Sequence, residues 1–486
     1  MRIGDLMASS GVGFGTSGAR GLVSAMTDEV CYSYTLGFVR YLQTFDALAV
    51  VGLAGDYRAS TPRIIRACAQ ALHDSGIKPR YFGQIPTPAL AAYGQAAKIP
   101  SLMITGSHIP EDRNGIKFYL PHGEILKADE EMIRAQEIRL PPQRFDATGA
   151  LCAPINPMPV LETVALECYV ERFLEFFSAQ CLAGLRIGIY EHSSVAREVM
   201  HRVFGGLGAE VVSLAPAKTF VPVDTEAIRP EDVELARTWC ANGQFSALVS
   251  TDGDGDRPLL ADEAGRWWRG DQVGVLCARA LSIDNIVTPV SSSTAVERCG
   301  WFRSVRRTRI GSPYVITEMQ NLYSQGVQPI MGYEANGGVL LGSSLLENGR
   351  ALSALPTRDA LLPMVALCAQ ANQRKVPLST LLSELPARFT ASDRIKNYPT
   401  DHSRALLDSL QHNHAAVSSL FGDCAGDAVT VDDTDGLRIQ FAQDEIIHLR
   451  PSGNAPELRI YTEAADPQRA EQLNQAVQAR LRAQST

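Results

Sequence analysis

Apolar and polar positions along this chain fall into blocks, and three times over the blocks come in the same order. "ALAVVGLAGDYRAS" (47–60), "GLRIGIYEHSSVAREVM" (184–200) and "NIVTPVSSSTAVERC" (285–299) each open on an apolar run, pass a polar loop and continue into a helical pattern. Each unit later offers a second apolar run that ends in a conspicuous loop. These are "LMITGSHIP" (102–110), "SALVSTDGDGDR" (246–257) and "QPIMGYEANGG" (328–338). Short apolar runs alternating with helical stretches predict α/β domains with mixed, largely parallel sheets. Ligands of such sheets sit in loops beyond the carboxyl ends of strands, and all three loops occupy that kind of place.

Turn residues divide the chain further. "APINPMPVLE" (153–162) carries three prolines and reads as a linker after the first unit. The second unit closes near Gly265, and "GDQVGVLCARAL" starts a helix of the third. From about Val376 the pattern becomes a short helix, alternating strands and a final amphipathic helix, "PQRAEQLNQAVQARLRA". The predicted domains are 1–152, 153–265 and 266–375, all α/β, and a smaller α+β domain at 376–486. In "LMITGSHIPEDRNGIKFYL", Pro110 forbids a helix, and Asn114-Gly115 is expected to turn the chain into the next strand.

A chain of 486 residues is long enough for several domains. Its charge is -8, with basic and acidic residues interleaved. No basic stripe invites nucleic acid, so that partner class is excluded. An acidic protein that binds an anionic substrate must instead concentrate positive charge locally. The ten cysteines include no Cys-x-x-Cys pair, which leaves zinc ribbons and redox motifs unsupported and fits reduced, mostly buried thiols. The N-terminus has no apolar signal core and no apolar run approaches membrane-spanning length, so a soluble cytoplasmic protein without a membrane partner is expected.

Candidate chemistry sits in the loops. Asp252, Asp254 and Asp256 alternate with glycines after a strand, a spacing that lets carboxylates converge on one hard cation such as Mg²⁺. A solvated acidic turn is the competing reading, but close carboxylates repel and a bound cation removes that cost. With Glu263 at the twelfth place the segment imitates an EF-hand. The sixth place is Arg257 rather than glycine, and a strand precedes it, so that reading fails. Ser107 beside His108 suits a turn as well as a site. It lacks the G-x-S-x-G elbow of a hydrolase nucleophile. Beside a metal loop, however, such a serine fits phosphoryl transfer, where positioning and charge neutralisation supply most of the catalysis. Lys117, on the following strand, is placed to point back at Ser107.

Glu334 and Asn336 among glycines suit sugar hydroxyls, which present paired donors and acceptors. In "IIHLRPSGNAPELRIYTEA", Arg450, Ser452, Gly453 and Asn454, with Arg459 following, form an anion nest between two strands. A hairpin with two solvated arginines is the alternative. The nest reading supplies the local positive site that an acidic protein needs.

The ordered set "FGTSGARG", "GDYRAS", "IPTPAL", "TGSHIP", "DGDGDR", "TRIGSPY", "GYEANGG" and "RPSGNAPELR" covers nearly the whole chain. It resembles the α-D-phosphohexomutase superfamily of phosphomannomutases and phosphoglucomutases. The resemblance implies three related α/β domains around a cleft, with a smaller C-terminal domain closing it. It also implies that Ser107 carries a phosphoryl group and shares one Mg²⁺ with Asp252, Asp254 and Asp256. By position, Arg20 and Lys117 would lie beside the reacting phosphate and His108 would flank Ser107. Arg257 follows the metal loop, and Arg309 stands where the family has a basic residue in the third domain. Glu334 and Asn336 would hold the sugar. Arg450, Ser452, Gly453 and Asn454, with Arg459, would serve the phosphate that is not reacting.

One departure matters. Many members read Gly-Glu-x-Ser-Gly-His in the sugar loop, and the histidine credited with proton transfer is Gly338 here. Lys117, His108 or another residue must then cover that role. "EANGG" with "LPTRD" downstream looks like bacterial phosphomannomutases that feed nucleotide-sugar synthesis, whereas "FGTSGARG" resembles phosphoglucosamine mutases. The sugar loop carries more weight because it touches the substrate. The implied reaction interconverts mannose 6-phosphate and mannose 1-phosphate through a phosphoserine and a hexose 1,6-bisphosphate, in a monomer or homodimer. A phosphoglucomutase or phosphoglucosamine mutase is the near alternative, and a metal-dependent sugar-phosphate phosphatase the distant one. A non-catalytic sensor ranks last, because it has no need for Ser107 beside three carboxylates.

Overall fold

The computed structural model describes residues 1–15, 18–45, 48–452 and 456–484. Each repeated apolar run becomes the middle strand of a parallel triplet. Val50–Gly55 lies between Lys78–Gln84 and Ser101–Ile104, parallel to both. Arg186–His192 lies likewise between Glu210–Pro216 and Ala247–Thr251. Asn285–Pro289 lies between Ser304–Thr308 and Ile330–Tyr333. These strands need long apolar runs because helices cover them. Leu53, Met103, Ile189, Val249, Ile286 and Met331 are fully buried, and each such side chain contributes about 1.5–3 kcal/mol.

The chain reverses at the end of each second run. Ser101–Ile104 pairs antiparallel with Arg113–Leu120, Ala247–Thr251 with Pro258–Ala261, and Ile330–Tyr333 with Val339–Leu341. Each conspicuous loop therefore connects a hairpin hung on the end of a parallel core, which makes the sheets mixed. Helix packing fixes them. The helix Thr61–Asp74 starts with Pro62 in its first turn and turns Ile64, Cys68 and Leu72 onto the first sheet, a spacing of four residues.

One apolar core runs through the first three units, from Phe82 through Tyr169 and Phe173 to Ile187, Ile286 and Leu361. Close packing across these boundaries gives the loops rigid supports. The last sheet is antiparallel throughout, in the order Phe389–Lys396, Glu457–Ala464, Ile446–Pro451, Leu437–Phe441, Ala428–Asp432. It has its own core of Ile439, Leu449, Ile460, Leu473 and Val477. Glu463 ties it to the third unit, accepting from Thr294 N (3.0 Å) and Ser293 Oγ (3.3 Å), and Arg388 Nε of its own unit holds the carboxylate at 2.7 Å. No described helix is long and apolar enough to cross a membrane.

Two expectations need correction. Asn114 and Gly115 lie inside the strand Arg113–Leu120, and the turn falls earlier, within residues 107–112. The Asn114 amide donates to Ser60 Oγ (2.8 Å) and Thr61 Oγ1 (3.1 Å), so tertiary partners absorb what reads locally as a turn. The C-terminal unit also contains two unanticipated helices, Thr400–Gln411 and His414–Ala425. The first buries only Ser403 and Leu410, too little to give a visible apolar stripe.

Candidate active site

The strand Ser101–Ile104 delivers Ser107 into a bend where its φ is +55°, a left-handed conformation that costs a non-glycine residue free energy. Arg58 holds the bend. Its side chain is fully buried and paired with Asp56 (3.1 Å). Its guanidinium donates to the carbonyls of Ser107 (2.9 Å), Ile109 (2.5 Å), Pro110 (2.7 Å) and Arg113 (3.1 Å). The Phe220 ring covers its face at 3.9 Å. Thr105 Oγ1 donates to Asp56 and accepts from Ser107 N, fixing the other side of the loop.

Opposite Ser107 lies the loop that follows Ala247–Thr251. Asp252, Asp254 and Asp256 are all buried, and one oxygen from each lies within 4.8 Å of the others. Ser107 Oγ donates to Asp252 Oδ2 at 2.6 Å. Lys117 Nζ donates to Asp254 Oδ2 and Asp256 Oδ2, at 2.7 Å each, in the same carboxylate set. Thr87, in the first turn of the helix Thr87–Ala97, donates to Asp254 Oδ2 at 2.6 Å. Burial and the neighbouring Asp254 and Asp256 push the Asp252 carboxyl well above its usual range. Burial also opposes ionisation of Asp254, but the Lys117 ammonium and the Thr87 hydroxyl outweigh it and hold that carboxyl low. Burial disfavours the Lys117 charge as well, yet Asp254 and Asp256 raise its pKa. Asp254 Oδ1 and Asp256 Oδ1 are buried without a hydrogen-bond partner. Orphaned carboxylate oxygens in so tight a set are the donors that a hard divalent cation takes, so these residues fit a metal.

Cations surround the serine. Arg257 Nη1 donates to His108 Nδ1 at 2.8 Å, while Ser107 Oγ lies 3.4 Å from the same nitrogen. Burial, then the charges of Arg257 and Arg20, lower the His108 pKa to about 2, so its imidazole is neutral. Arg20, on the strand Ala19–Leu22, is pushed down to about 10 by burial and by Arg257, and its Nε lacks a partner. So many crowded cations fit a dianionic ligand between them.

The sugar loop closes on itself. Glu334 N donates to Gly338 O (3.1 Å), Gly337 N to Glu334 O (2.9 Å), and Gly338 N to Asn336 Oδ1 (3.0 Å). Glu334 and Asn336 are both buried, and the Glu334 carboxylate accepts from Arg358 Nε. Asn336 O receives the Thr225 hydroxyl at 2.8 Å, which anchors this loop to the second unit.

Ser107, His108, Lys117, Arg20, Arg257, Glu334 and the three aspartates thus form one connected cluster. Arg309 lies in the third unit and Arg450, Ser452 and Arg459 in the C-terminal one, while Gly453 and Asn454 lie outside the described residues. Arg450 Nε donates to Asp435 Oδ2 (2.9 Å), which also accepts from Ile310 N (2.9 Å). That carboxylate therefore joins the Arg309 loop to the last sheet, with Arg309 itself exposed. Burial raises the pKa of Glu226, and its charge is felt by Arg257 on one side and Arg459 on the other. Glu226 therefore lies within electrostatic reach of both groups of residues. The sequence reading assigned nothing to Arg58, Thr87, Glu226 or Arg358. The first two and the last lay in visible motifs, "GDYRAS", "IPTPAL" and "LPTRD", whereas Glu226 lay in none of them.

Comparison with known proteins agrees with this geometry. Residues 11–139, 167–265 and 269–389 match the phosphoglucomutase/phosphomannomutase alpha/beta/alpha domains I, II and III, and residues 400–480 match the C-terminal domain. A phosphomannomutase of Salmonella muenchen is 45% identical over 460 residues, covering 95% of this chain and 93% of its own. A phosphomannomutase of Sinorhizobium fredii is 45% identical over 463 residues, covering 95% and 96%. The crystal structure of a phosphoglucomutase/phosphomannomutase family protein from Burkholderia thailandensis superposes with a TM-score of 0.72 at 20% identity, covering 96% of each chain. The chain belongs to the phosphoglucomutase/phosphomannomutase family.

Proposed function

We propose that this protein is a phosphomannomutase, which interconverts mannose 6-phosphate and mannose 1-phosphate through phosphorylated Ser107. The observation that carries the proposal is the 2.6 Å hydrogen bond from Ser107 Oγ to Asp252, inside the buried aspartate cluster and among Arg20, Lys117 and Arg257. The 45% identity to curated phosphomannomutases over 95% of the chain supports mannose as the sugar. The four domains at 1–152, 153–265, 266–375 and 376–486 are part of the proposal, as is a cytoplasmic role in supplying nucleotide-sugar synthesis.

In the reaction, the O1 hydroxyl of mannose 6-phosphate attacks the Ser107 phosphoryl group. The O–P bond to Ser107 breaks, a new O–P bond forms at O1, and the proton of the hydroxyl ends on Ser107 Oγ. The product is the hexose 1,6-bisphosphate. After it turns around in the cleft, Ser107 Oγ takes the phosphoryl group from O6. Arg20, Arg257 and Lys117 offset charge on the transferring group, and the Arg58 network keeps Oγ aimed at it. Neutral His108 accepts from Arg257 and orients it. Asp252, Asp254 and Asp256 would hold Mg²⁺, whose chemistry there is neutralisation of phosphoryl charge. Glu334 and Asn336 bind the sugar hydroxyls. Arg450, Ser452, Gly453, Asn454 and Arg459, with Arg309 across the cleft, hold the non-reacting phosphate. Phosphorus NMR tests the proposal directly. With a trace of bisphosphate, mannose 1-phosphate should convert to mannose 6-phosphate without inorganic phosphate; stoichiometric phosphate release would mean a phosphatase instead.

A further inference from the structure

Arg358 is the penultimate residue of the strand Leu355–Asp359, beside the strand Val339–Leu341, and its side chain is 4% exposed. It crosses directly over Gly338. A Cβ built on that glycine would fall 2.6 Å from Arg358 Cδ and 2.8 Å from Cγ, closer than side-chain atoms pack. Glycine at 338 is therefore what leaves this arginine its path. At the far end, Nε donates to Glu334 Oε2, and Nη1 lies 3.5 Å from Asp256 Oδ2. Burial disfavours the charge, but Glu334 and Asp256 outweigh that and keep the guanidinium ionised. One fixed cation thus spans the sugar loop of the third unit and the metal loop of the second. Its charge is felt by Arg20, His108, Lys117 and Arg257.

We propose that Arg358 is a positioning residue that couples sugar binding to the aspartate cluster, and that Gly338 serves to make room for it. The inference rests on the proposed mutase reading for the meaning of the two loops. Through Glu334, Arg358 sets the direction of a carboxylate that a sugar hydroxyl must find. Through Asp256 it competes, as Lys117 does, with any cation drawn to the aspartates. The two actions have opposite signs. Removing the guanidinium weakens sugar-phosphate binding and strengthens metal binding, whereas general damage to the site weakens both.

Calorimetry with mannose 1-phosphate and, separately, with Mg²⁺ on the whole protein reads both signs without relying on turnover. Arg358→Met is expected to raise the Kd for mannose 1-phosphate by about 10- to 100-fold, the range for losing a charge-assisted contact. The Kd for Mg²⁺ should fall severalfold. Gly338→Ala, which displaces the side chain without removing it, should lose sugar-phosphate affinity, but less than twofold more in an Arg358→Ala background. If Arg358→Met weakens both ligands, or leaves both unchanged, the coupling is refuted. Additive losses in the Gly338→Ala, Arg358→Ala cycle would refute the shared space. Absence of mutase turnover in the wild type would refute the proposed function instead, and the metal-affinity shift would still decide the role of Arg358.

Discussion

Gly270 opens the helix Gly270–Ala280 against the back of the sugar loop, and replacing it with alanine tests whether that loop's position sets activity. A Cβ there would lie 2.1 Å from Gly337 N, 2.4 Å from Ala335 O and 2.4 Å from Asn336 C, all backbone atoms. Ordinary contact begins near 3.4 Å, so helix or loop must retreat by about 1.3 Å, the difference from 2.1 Å. Overpacking of this kind costs about 1–3 kcal/mol of stability. A displacement of about 1 Å in a positioned site costs up to about 100-fold in rate. Thr225 pins Asn336 O from the other side, so the shift cannot be absorbed by sliding the loop outward without breaking that bond. Gly270→Ala should therefore lower kcat/KM for mannose 1-phosphate by about 100-fold, mainly through sugar binding. The Ser107 loop is untouched, so loading of Ser107 from hexose 1,6-bisphosphate should remain measurable by intact mass. A variant that folds with kcat/KM within twofold of wild type would show that Glu334 and Asn336 do not govern the reaction.

Arg58→Met strands Asp56 in the core and frees the Ser107 bend. Breaking a buried pair costs about 3–5 kcal/mol, so denaturant unfolding should shift by that much, and kcat should collapse together with Ser107 phosphorylation; unchanged loading would contradict the positioning role. His448 is buried with its pKa lowered to about 4 by desolvation, and its Nε2 donates to Asp435 O. The unfolded state then binds a proton that the folded state refuses, so stability is full above about pH 6.5 and falls as pH drops toward 4, by about 1.4 kcal/mol per unit. His448→Gln should lessen the stability lost between pH 7 and pH 5 in denaturation, since buried His108 and His192 keep their own share of it, and an unchanged loss would remove His448 from the acid response. If Arg450 holds the distal phosphate as proposed, Arg450→Ala should delete a charge-assisted contact of about 1.5–3 kcal/mol and lower kcat/KM about 10- to 100-fold; wild-type kinetics would place the distal phosphate elsewhere.

The parallel cores were legible because a strand covered on both faces leaves a continuous apolar run, and the loops were legible because polar residues follow those runs abruptly. Asn114-Gly115 misled because the pair is a strong local turn signal, while its true determinants, Ser60 and Thr61, come from another element. Arg58, Thr87 and Arg358 escaped for a related reason. Thr87 meets Asp254 across 167 residues and Arg358 meets Asp256 across 102, and no local spacing encodes such pairs. Lys117 lay on the foreseen strand, and its ammonium meets Asp254 and Asp256 because carboxylates stabilise a buried cation.

The central claim is that Ser107 carries the phosphoryl group, and a single-turnover measurement tests it most directly. The protein is loaded with hexose 1,6-bisphosphate, freed of excess ligand and mixed with one equivalent of mannose 6-phosphate. Peptide mapping should find one phosphate on the Ser107 peptide before mixing. After mixing, that phosphate should appear at O1, in mannose 1,6-bisphosphate and mannose 1-phosphate, with none released as inorganic phosphate. Ser107→Ala, folded by circular dichroism, should neither load nor transfer. Transfer by the alanine variant, or a phosphate mapped to any other residue, would contradict the account.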